Sequence, residues 1–232
     1  MEAIVLAGGL GTRLRQVVPD LPKPMAPVAG RPFLEILLTA LAARGVDRVV
    51  LSVGHRAEAI TGHFGTRWGG LEIEAAVEDT PLGTGGALRF ALDRCRRDPV
   101  LVLNGDTFLD LDLEALARRW DTEGRPLIVA RAVPDTARFG RLEAVDGQLA
   151  GFSEKGTAGP GLINAGTYLV PRDLLDAFPA GRPFSLETDY LVPRAVARGF
   201  GVFVSDGLFI DIGVPDDYAR AQTLLAPFAS KA

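Results

Sequence analysis

The sequence predicts an α/β protein: a three-layer sandwich with helices on both faces of a mostly parallel central sheet, plus a smaller antiparallel region. Three observations carry that expectation. Short apolar runs alternate with segments of helical spacing over residues 1–125, the pattern of a parallel sheet joined by crossover helices. Glycine- or aspartate-bearing loops follow the C-terminal ends of those runs, where ligands bind in such sheets. From about Pro126 the rhythm changes to closely spaced extended segments.

Ala3-Ile4-Val5-Leu6 reads as a short buried strand. Arg31 to Arg44 follows as a helix, with Pro32 in its first turn, apolar residues at Phe33, Ile36, Leu37, Ala40 and Leu41, and Gly45 closing it. Arg48–Val53 is the second strand and Ala57–Phe64 a short helix. Leu71–Val77 alternates apolar and acidic residues, a strand with one solvated or site-facing side. Gly85–Arg94 is helical, Val100–Leu103 a fourth, wholly apolar strand, and Leu113–Trp120 helical again. The antiparallel region is expected at Pro126–Val133, Gly140–Val145, Gln148–Phe152 and Gly161–Val170, with Asp146-Gly147 as a hairpin turn. Leu186–Arg198 and Pro215–Leu225 close the chain as helices. With no repeat and no long linker, residues 1–232 are expected to form a single domain with halves 1–125 and 126–232.

At 232 residues and 47% hydrophobic content, the chain is long enough for a sizeable core. One cysteine, Cys95, excludes an internal disulfide framework and fits a reducing compartment. Two histidines, His55 and His63, without a Cys/His cluster argue against a zinc site. The net charge is −4 with no basic stripe, so no nucleic-acid partner is expected. The chain opens on a strand pattern without a basic-then-apolar leader, and no apolar run approaches the ~20 residues a membrane span needs. The expectation is a cytoplasmic protein without a membrane partner; a homo-oligomer is compatible with this composition.

The chemistry starts at Gly-Gly-Leu-Gly-Thr-Arg (8–13), directly after the first strand. Glycines let the backbone lie close to a ligand, and successive N–H groups make an anion-binding concavity. Arg13 and Lys23 add positive charge, which suggests a triphosphate cradle; the bland alternative is a surface loop. The pattern is neither the P-loop, Gly-x4-Gly-Lys-Ser/Thr, nor the dinucleotide Gly-x-Gly-x-x-Gly, because Leu14 holds the third position. Asp106 of Asn104-Gly105-Asp106 and Asp211 of Asp-Ile-Gly (211–213) each end apolar runs. They read as Mg2+ ligands or as ordinary turn aspartates. Asp110-Leu111-Asp112 has the Asp-x-Asp form of a metal–nucleotide-sugar site, but Asp112 followed by Glu114 favours a helix N-cap. Pro-Leu-Gly-Thr-Gly-Gly (81–86) opens a helix whose amides suit a base or ribose. Glu78, just before it, suits guanine, which offers two adjacent donors to a carboxylate, or is an exposed strand-end acid. Glu154, Lys155 and Asn164 suit a polyhydroxylated phosphate ester or a salt-bridged hairpin surface.

Taken together and in order, these blocks resemble the sugar-1-phosphate nucleotidylyltransferases: Leu-Ala-Gly-Gly-Leu-Gly-Thr-Arg-Leu (6–14), Pro-Lys-Pro (22–24), Pro-Leu-Gly-Thr-Gly-Gly (81–86), Asn-Gly-Asp (104–106), Glu-Lys (154–155), Asn-Ala-Gly (164–166) and Asp-Ile-Gly (211–213). Leu-Pro-Lys-Pro-Met-Ala-Pro (21–27), Phe-Leu-Glu (33–35) and Leu-Asn-Gly-Asp-Thr-Phe (103–108) look most like the D-glycero-α-D-manno-heptose 1-phosphate guanylyltransferases, with mannose-1-phosphate guanylyltransferases close behind.

The resemblance implies a Rossmann-like nucleotidyltransferase fold with a sugar-binding antiparallel region. It implies nucleotide binding by Leu6, Gly8, Gly9, Gly11, Thr12, Arg13, Lys23, Glu78, Gly83 and Asp106, of which Arg13, Lys23 and Asp106 are catalytic. It assigns the sugar phosphate to Asn104, Gly140, Glu154, Lys155 and Asn164, and the metal, Mg2+, to Asp106 and Asp211. The chain would lack the C-terminal β-helix of longer relatives. The implied substrates are GTP and a heptose 1-phosphate, giving GDP-heptose and pyrophosphate for capsule or lipopolysaccharide synthesis. Other readings are a mannose-1-phosphate guanylyltransferase, a uridylyl or thymidylyl transferase, a metal-dependent glycosyltransferase built on Asp110 and Asp112, and a non-catalytic nucleotide-sugar sensor.

Overall fold

The computed structural model describes residues 1–9, 11, 13–14, 17–153 and 156–230. The elements run β1 (Glu2–Leu6), a hairpin of β2 (Pro27–Val28) and β3 (Arg31–Pro32), α1 (Phe33–Ala43), β4 (Arg48–Val53), α2 (Ala57–Phe64), β5 (Arg67–Trp68), β6 (Leu71–Val77), α3 (Gly83–Leu92), β7 (Val100–Asn104), β8 (Thr107–Leu109) and α4 (Leu113–Glu123). Then come β9 (Leu127–Val133), β10 (Leu142–Val145), β11 (Gln148–Phe152) and β12 (Gly161–Val170). A π-helical turn at Leu186–Leu191 runs into α5 (Val192–Val196), followed by β13 (Gly201–Ser205), β14 (Phe209–Asp211), α6 (Pro215–Leu224) and α7 (Ala226–Ala229). No helix among the described residues is long and apolar enough to cross a membrane.

Among the described residues ten strands form one sheet, in the order β10-β11-β13-β9-β12-β7-β1-β4-β6-β5. Strands β7, β1, β4 and β6 are parallel neighbours, as the alternating first half predicts. The sheet as a whole is mixed, which corrects the expectation of a mostly parallel central sheet; the smaller antiparallel region is part of that same sheet. β12 enters antiparallel between β7 and β9, so the second half continues the same sheet across residue 125. The expected boundary is therefore a change of strand direction, with hydrogen bonds running across it. β13, which the sequence reading missed, lies parallel beside β9.

Period-two alternation sends side chains to opposite faces. Ala3 and Val5 of β1 join Val49, Leu51, Leu101 and Leu103 in a core covered by α1, α2, α4, α6 and α7. Ile4, Val50, Val100 and Val102 face the other way, onto α3, the π turn and α5. The helix bounds also move. Pro32 stands just outside α1 as its N-cap, in extended backbone. α3 starts at Gly83 and stops at Leu92, two residues earlier than expected at either end. The expected helix at 186–198 divides at Val192-Pro193, because proline removes an N–H from the ladder. The acidic side of β6 faces Arg48, which pairs with Glu72 at 3.1 Å and with Glu74. Asp146 and Gly147 make the predicted hairpin turn, both at positive φ.

Candidate active site

The C-terminal ends of β1, β4, β6 and β7 open into a crevice with two connected lobes. One encloses about 220 Å³ between the first loop, Lys23 and Asp106. The other, about 550 Å³, lies between the loops after β1, β4, β6 and β7. Leu6, Gly9 and Asp106 line both.

The smaller lobe is lined by two cations, Arg13 and Lys23. Gly11 adopts a φ of +58°, and a Cβ there would come 3.1 Å from the Lys23 Cβ. Leu14 is buried and anchors the loop, donating its N–H to the Gly11 carbonyl at 3.1 Å. Arg13 lines the lobe from the exposed side. Pro-Lys-Pro is a single 3-10 turn, Lys23–Met25, entered from Pro22 in extended backbone. Two prolines flank Lys23, and Pro24 and Met25 are buried, so the backbone that carries the ammonium has little freedom.

Asp106 and Asp211 are brought together by tertiary pairing. β14 runs antiparallel to β8 with Asp211 opposite Thr107, and the Ile212 N–H donates to the Asp106 carbonyl at 3.0 Å. Gly105 continues the β1–β7 ladder, donating to the Leu6 carbonyl at 2.8 Å; a Cβ at Gly105 would strike that oxygen. Lys23 Nζ pairs with Asp106 and lies 3.8 Å from Asp211 Oδ1. Burial, then the Asp106 charge, pushes the Asp211 carboxyl above its ordinary range; Lys23 and the Gly213 N–H act against that. Two carboxylates thus converge on one cation, with hard oxygen donors only. Among the described residues no cluster of three or more His, Cys, Asp or Glu could hold a metal unaided. Two carboxylates completed by substrate phosphates suit Mg2+.

The larger lobe takes in Leu6, Gly8, Gly9, Glu78, Gly83, Asn104 and Asp106 from the predicted set. It also takes in Ser52, Gly54 and His55, to which the sequence alone assigns no role, and Thr84 of the 81–86 segment. A signal for Ser52, Gly54 and His55 existed: they surround the end of β4, at the same edge as the other loops. Of the 81–86 segment, only Pro81, Gly83 and Thr84 line the lobe. Gly85 donates its N–H to the Phe184 carbonyl at 3.0 Å, and a Cβ there would enter the Phe184 ring. Gly86 lies against the Arg182 carbonyl. Gly85 and Gly86 therefore serve packing, which corrects their expected contact with a base or ribose.

The predicted sugar-phosphate residues fare unevenly. Asn104 lines the larger lobe, whereas Gly140 and Asn164 line neither. Gly140 sits in a turn ahead of β10, donating to the Thr136 carbonyl at 3.1 Å. The Asn164 amide is engaged by its own strand, with Nδ2 donating to the Tyr168 hydroxyl at 2.7 Å and Oδ1 accepting from Gly166 N–H at 3.0 Å. Thr12, Glu154 and Lys155 lie outside the described residues. Asp110 pairs with Arg44, and Asp112 caps α4 by accepting the Ala115 N–H at 2.9 Å. Neither lines the crevice.

Residues 2–226 match the family model described as nucleotidyl transferase. The chain belongs to this family. As a nucleotidyl transferase it is 40% identical to the D-glycero-α-D-manno-heptose 1-phosphate guanylyltransferase of Aneurinibacillus thermoaerophilus over 223 residues, 96% of this chain and 97% of that one. It is 36% identical to the mannose-1-phosphate guanylyltransferase of Mycobacterium tuberculosis, covering 96% of this chain but 64% of that protein. The crystal structure of HddC from Yersinia pseudotuberculosis complexed with GMP-PN superposes with a TM-score of 0.85 at 36% identity, covering 95% of this nucleotidyl transferase and 97% of HddC.

Proposed function

We propose that this nucleotidyltransferase transfers GMP from GTP to D-glycero-α-D-manno-heptose 1-phosphate. The observation that carries the chemistry is the convergence of Arg13, Lys23, Asp106 and Asp211 beside a nucleoside-sized cavity. The heptose assignment follows the A. thermoaerophilus relative, which this chain matches over nearly the whole length of both. The mannose enzyme matches over only part of its own length.

In the proposed reaction a phosphate oxygen of the sugar 1-phosphate attacks the α-phosphorus of GTP. The bond from that phosphorus to the β-phosphate oxygen breaks, and pyrophosphate leaves in line. The attacking phosphate has a second pKa near 6 and is largely ionised at pH 7. No general base is needed, and catalysis reduces to positioning and charge neutralisation. The loop at Gly8, Gly9 and Gly11, with Thr12, cradles the triphosphate, and Arg13 meets the departing pyrophosphate side. Lys23 leaves its carboxylate partners for the α-phosphate. Asp106 and Asp211 would hold Mg2+, which supplies charge neutralisation to the phosphates. Leu6, Glu78 and Gly83 bound the nucleoside, and Asn104, with Glu154 and Lys155, addresses the sugar phosphate. Gly140, in the turn ahead of β10, and Asn164, in β12, belong to the half of the chain that addresses the sugar but stand behind the crevice lining.

Pyrophosphate release tests the assignment, with four nucleoside triphosphates crossed against heptose, mannose, glucose and N-acetylhexosamine 1-phosphates. GTP with the heptose 1-phosphate should give the highest kcat/KM. A higher value for another pair, or GTP binding without pyrophosphate release, would overturn it.

A further inference from the structure

This inference rests on the guanine reading above and deepens it. On the wall of the larger lobe, the Glu78 carboxylate is held from two sides. Ser52 Oγ donates to Oε1 at 3.3 Å, and the Leu82 N–H donates to Oε2 at 3.0 Å. Ser52 is fully buried and stands in register with Leu6 of β1 and Ala76 of β6, so three strands fix its hydroxyl. Gly8 closes the arrangement from the loop: a Cβ there would come 3.0 Å from the same Oε1.

An ionised carboxylate offers about four acceptor positions, two on each oxygen. One position on each oxygen of Glu78 is committed to the protein, which leaves one on each for a ligand. That remaining pair matches the adjacent N1–H and 2-amino donors of guanine. Glutamate rotates freely about three side-chain torsions, and with the Leu82 N–H alone it could swing about a single hydrogen bond. The Ser52 hydroxyl is the second point that sets the plane of the carboxylate.

We propose that Ser52 is a positioning residue for base selection: acting through Glu78, its hydroxyl makes the site choose guanine over bases that lack one of the two donors.

The test is kcat/KM for GTP, ITP and UTP at saturating sugar 1-phosphate, in the wild type, Ser52→Ala, Glu78→Gln and the double variant. Hypoxanthine lacks only the 2-amino group. A bidentate contact should make the wild type prefer GTP over ITP by roughly 10–100-fold. In Ser52→Ala the preference should fall to within about threefold, with the loss in KM for GTP rather than in kcat, as expected for lost ground-state binding. The double variant should be no less selective than Glu78→Gln alone, because the two residues act as one unit. A ratio of specificity constants does not depend on the folded fraction, so a poorly folding variant still reports. Full selectivity in Ser52→Ala, or additive losses in the double variant, overturns the role of Ser52 and leaves the guanine reading standing. A wild type that does not distinguish GTP from ITP overturns both.

Discussion

Lys23 stands between two carboxylates, paired with Asp106 and 3.8 Å from Asp211, so one ammonium screens a pair of like charges. Its flanking prolines fix the backbone beneath it. Lys23→Ala should lower turnover roughly 10²–10³-fold, the effect of losing one preorganised donor. Near-normal turnover in a pyrophosphate-release assay would remove Lys23 from the mechanism. Asp211 gives a second prediction. Its carboxyl is raised by burial and by Asp106, so the folded chain binds the proton more tightly than the unfolded chain does. The stability linked to that proton is present at low pH and is lost as pH rises through the raised pKa. Asp211→Asn should therefore raise Tm at pH 7–8, by about 2–4 °C if the relief is about 1 kcal/mol, while lowering turnover. The Gly213 N–H keeps an acceptor in the variant, since the asparagine carbonyl can replace the 2.6 Å contact. The Tm difference should shrink as pH falls and wild-type Asp211 gains its proton. A difference unchanged down to pH 4 would contradict this account.

At the scale of elements, α4 separates two readings of Asp-x-Asp. Asp112 accepts the Ala115 N–H as an N-cap, and a cap residue replaced by alanine costs about 1 kcal/mol. Asp112→Ala should lower Tm by about 2–4 °C and leave kcat/KM unchanged. A large loss of activity at unchanged Tm would instead favour a metal-binding role. α3 offers a packing test. Its first turn is covered by residues 182–186: the Phe184 N–H donates to the Leu82 carbonyl at 3.0 Å, and the Leu186 N–H to Thr84 Oγ1 at 2.9 Å. Gly85→Ala would drive a methyl into the Phe184 ring, at a cost of about 1–3 kcal/mol for overpacking. Denaturant titration should show that loss; full stability would mean that the 182–186 cover is loose.

At the scale of the whole molecule, the two ends of the sheet carry different burdens. The C-terminal edge of its parallel strands holds the crevice. The opposite edge holds a charge network in which buried Arg48 pairs with buried Glu2 at 3.0 Å and with Glu72 and Glu74. Glu2 also accepts the Arg96 and Arg97 N–H groups at 2.7 and 2.8 Å. Arg48→Met would leave the buried Glu2 carboxylate with only the half-exposed Arg97 guanidinium, 4.0 Å away, as its cation, a change that costs up to about 3–5 kcal/mol in comparable buried pairs. Urea unfolding should show that loss, with kcat/KM per folded molecule unchanged. A matching fall in kcat/KM would mean that the two edges are coupled.

Much of this was legible along the chain, and the limits have a physical cause. The parallel strands declared themselves because a strand buried on both faces must be apolar throughout, as in Val100–Leu103. The rule that ligands gather at their C-terminal ends points to Gly8, Glu78 and Asp106, and the structure brings all three to one crevice. β13 is hard to read because Gly-Val-Phe-Val-Ser offers only three apolar residues between a glycine and a serine, a run too short to stand apart from a loop. The direction of β12 was equally hidden, since antiparallel and parallel pairing depend on the path of the chain between strands. The sequence by itself determined the kinds of residue at the site and the strand ends that carry them, because turn chemistry and hydrophobic period are local. Only the tertiary structure decided which of these groups meet. The β8–β14 pairing sets Asp211 against Asp106, and the end of β4 delivers Ser52 to Glu78. These are contacts between segments distant in sequence, fixed by sheet order and register rather than by any local pattern.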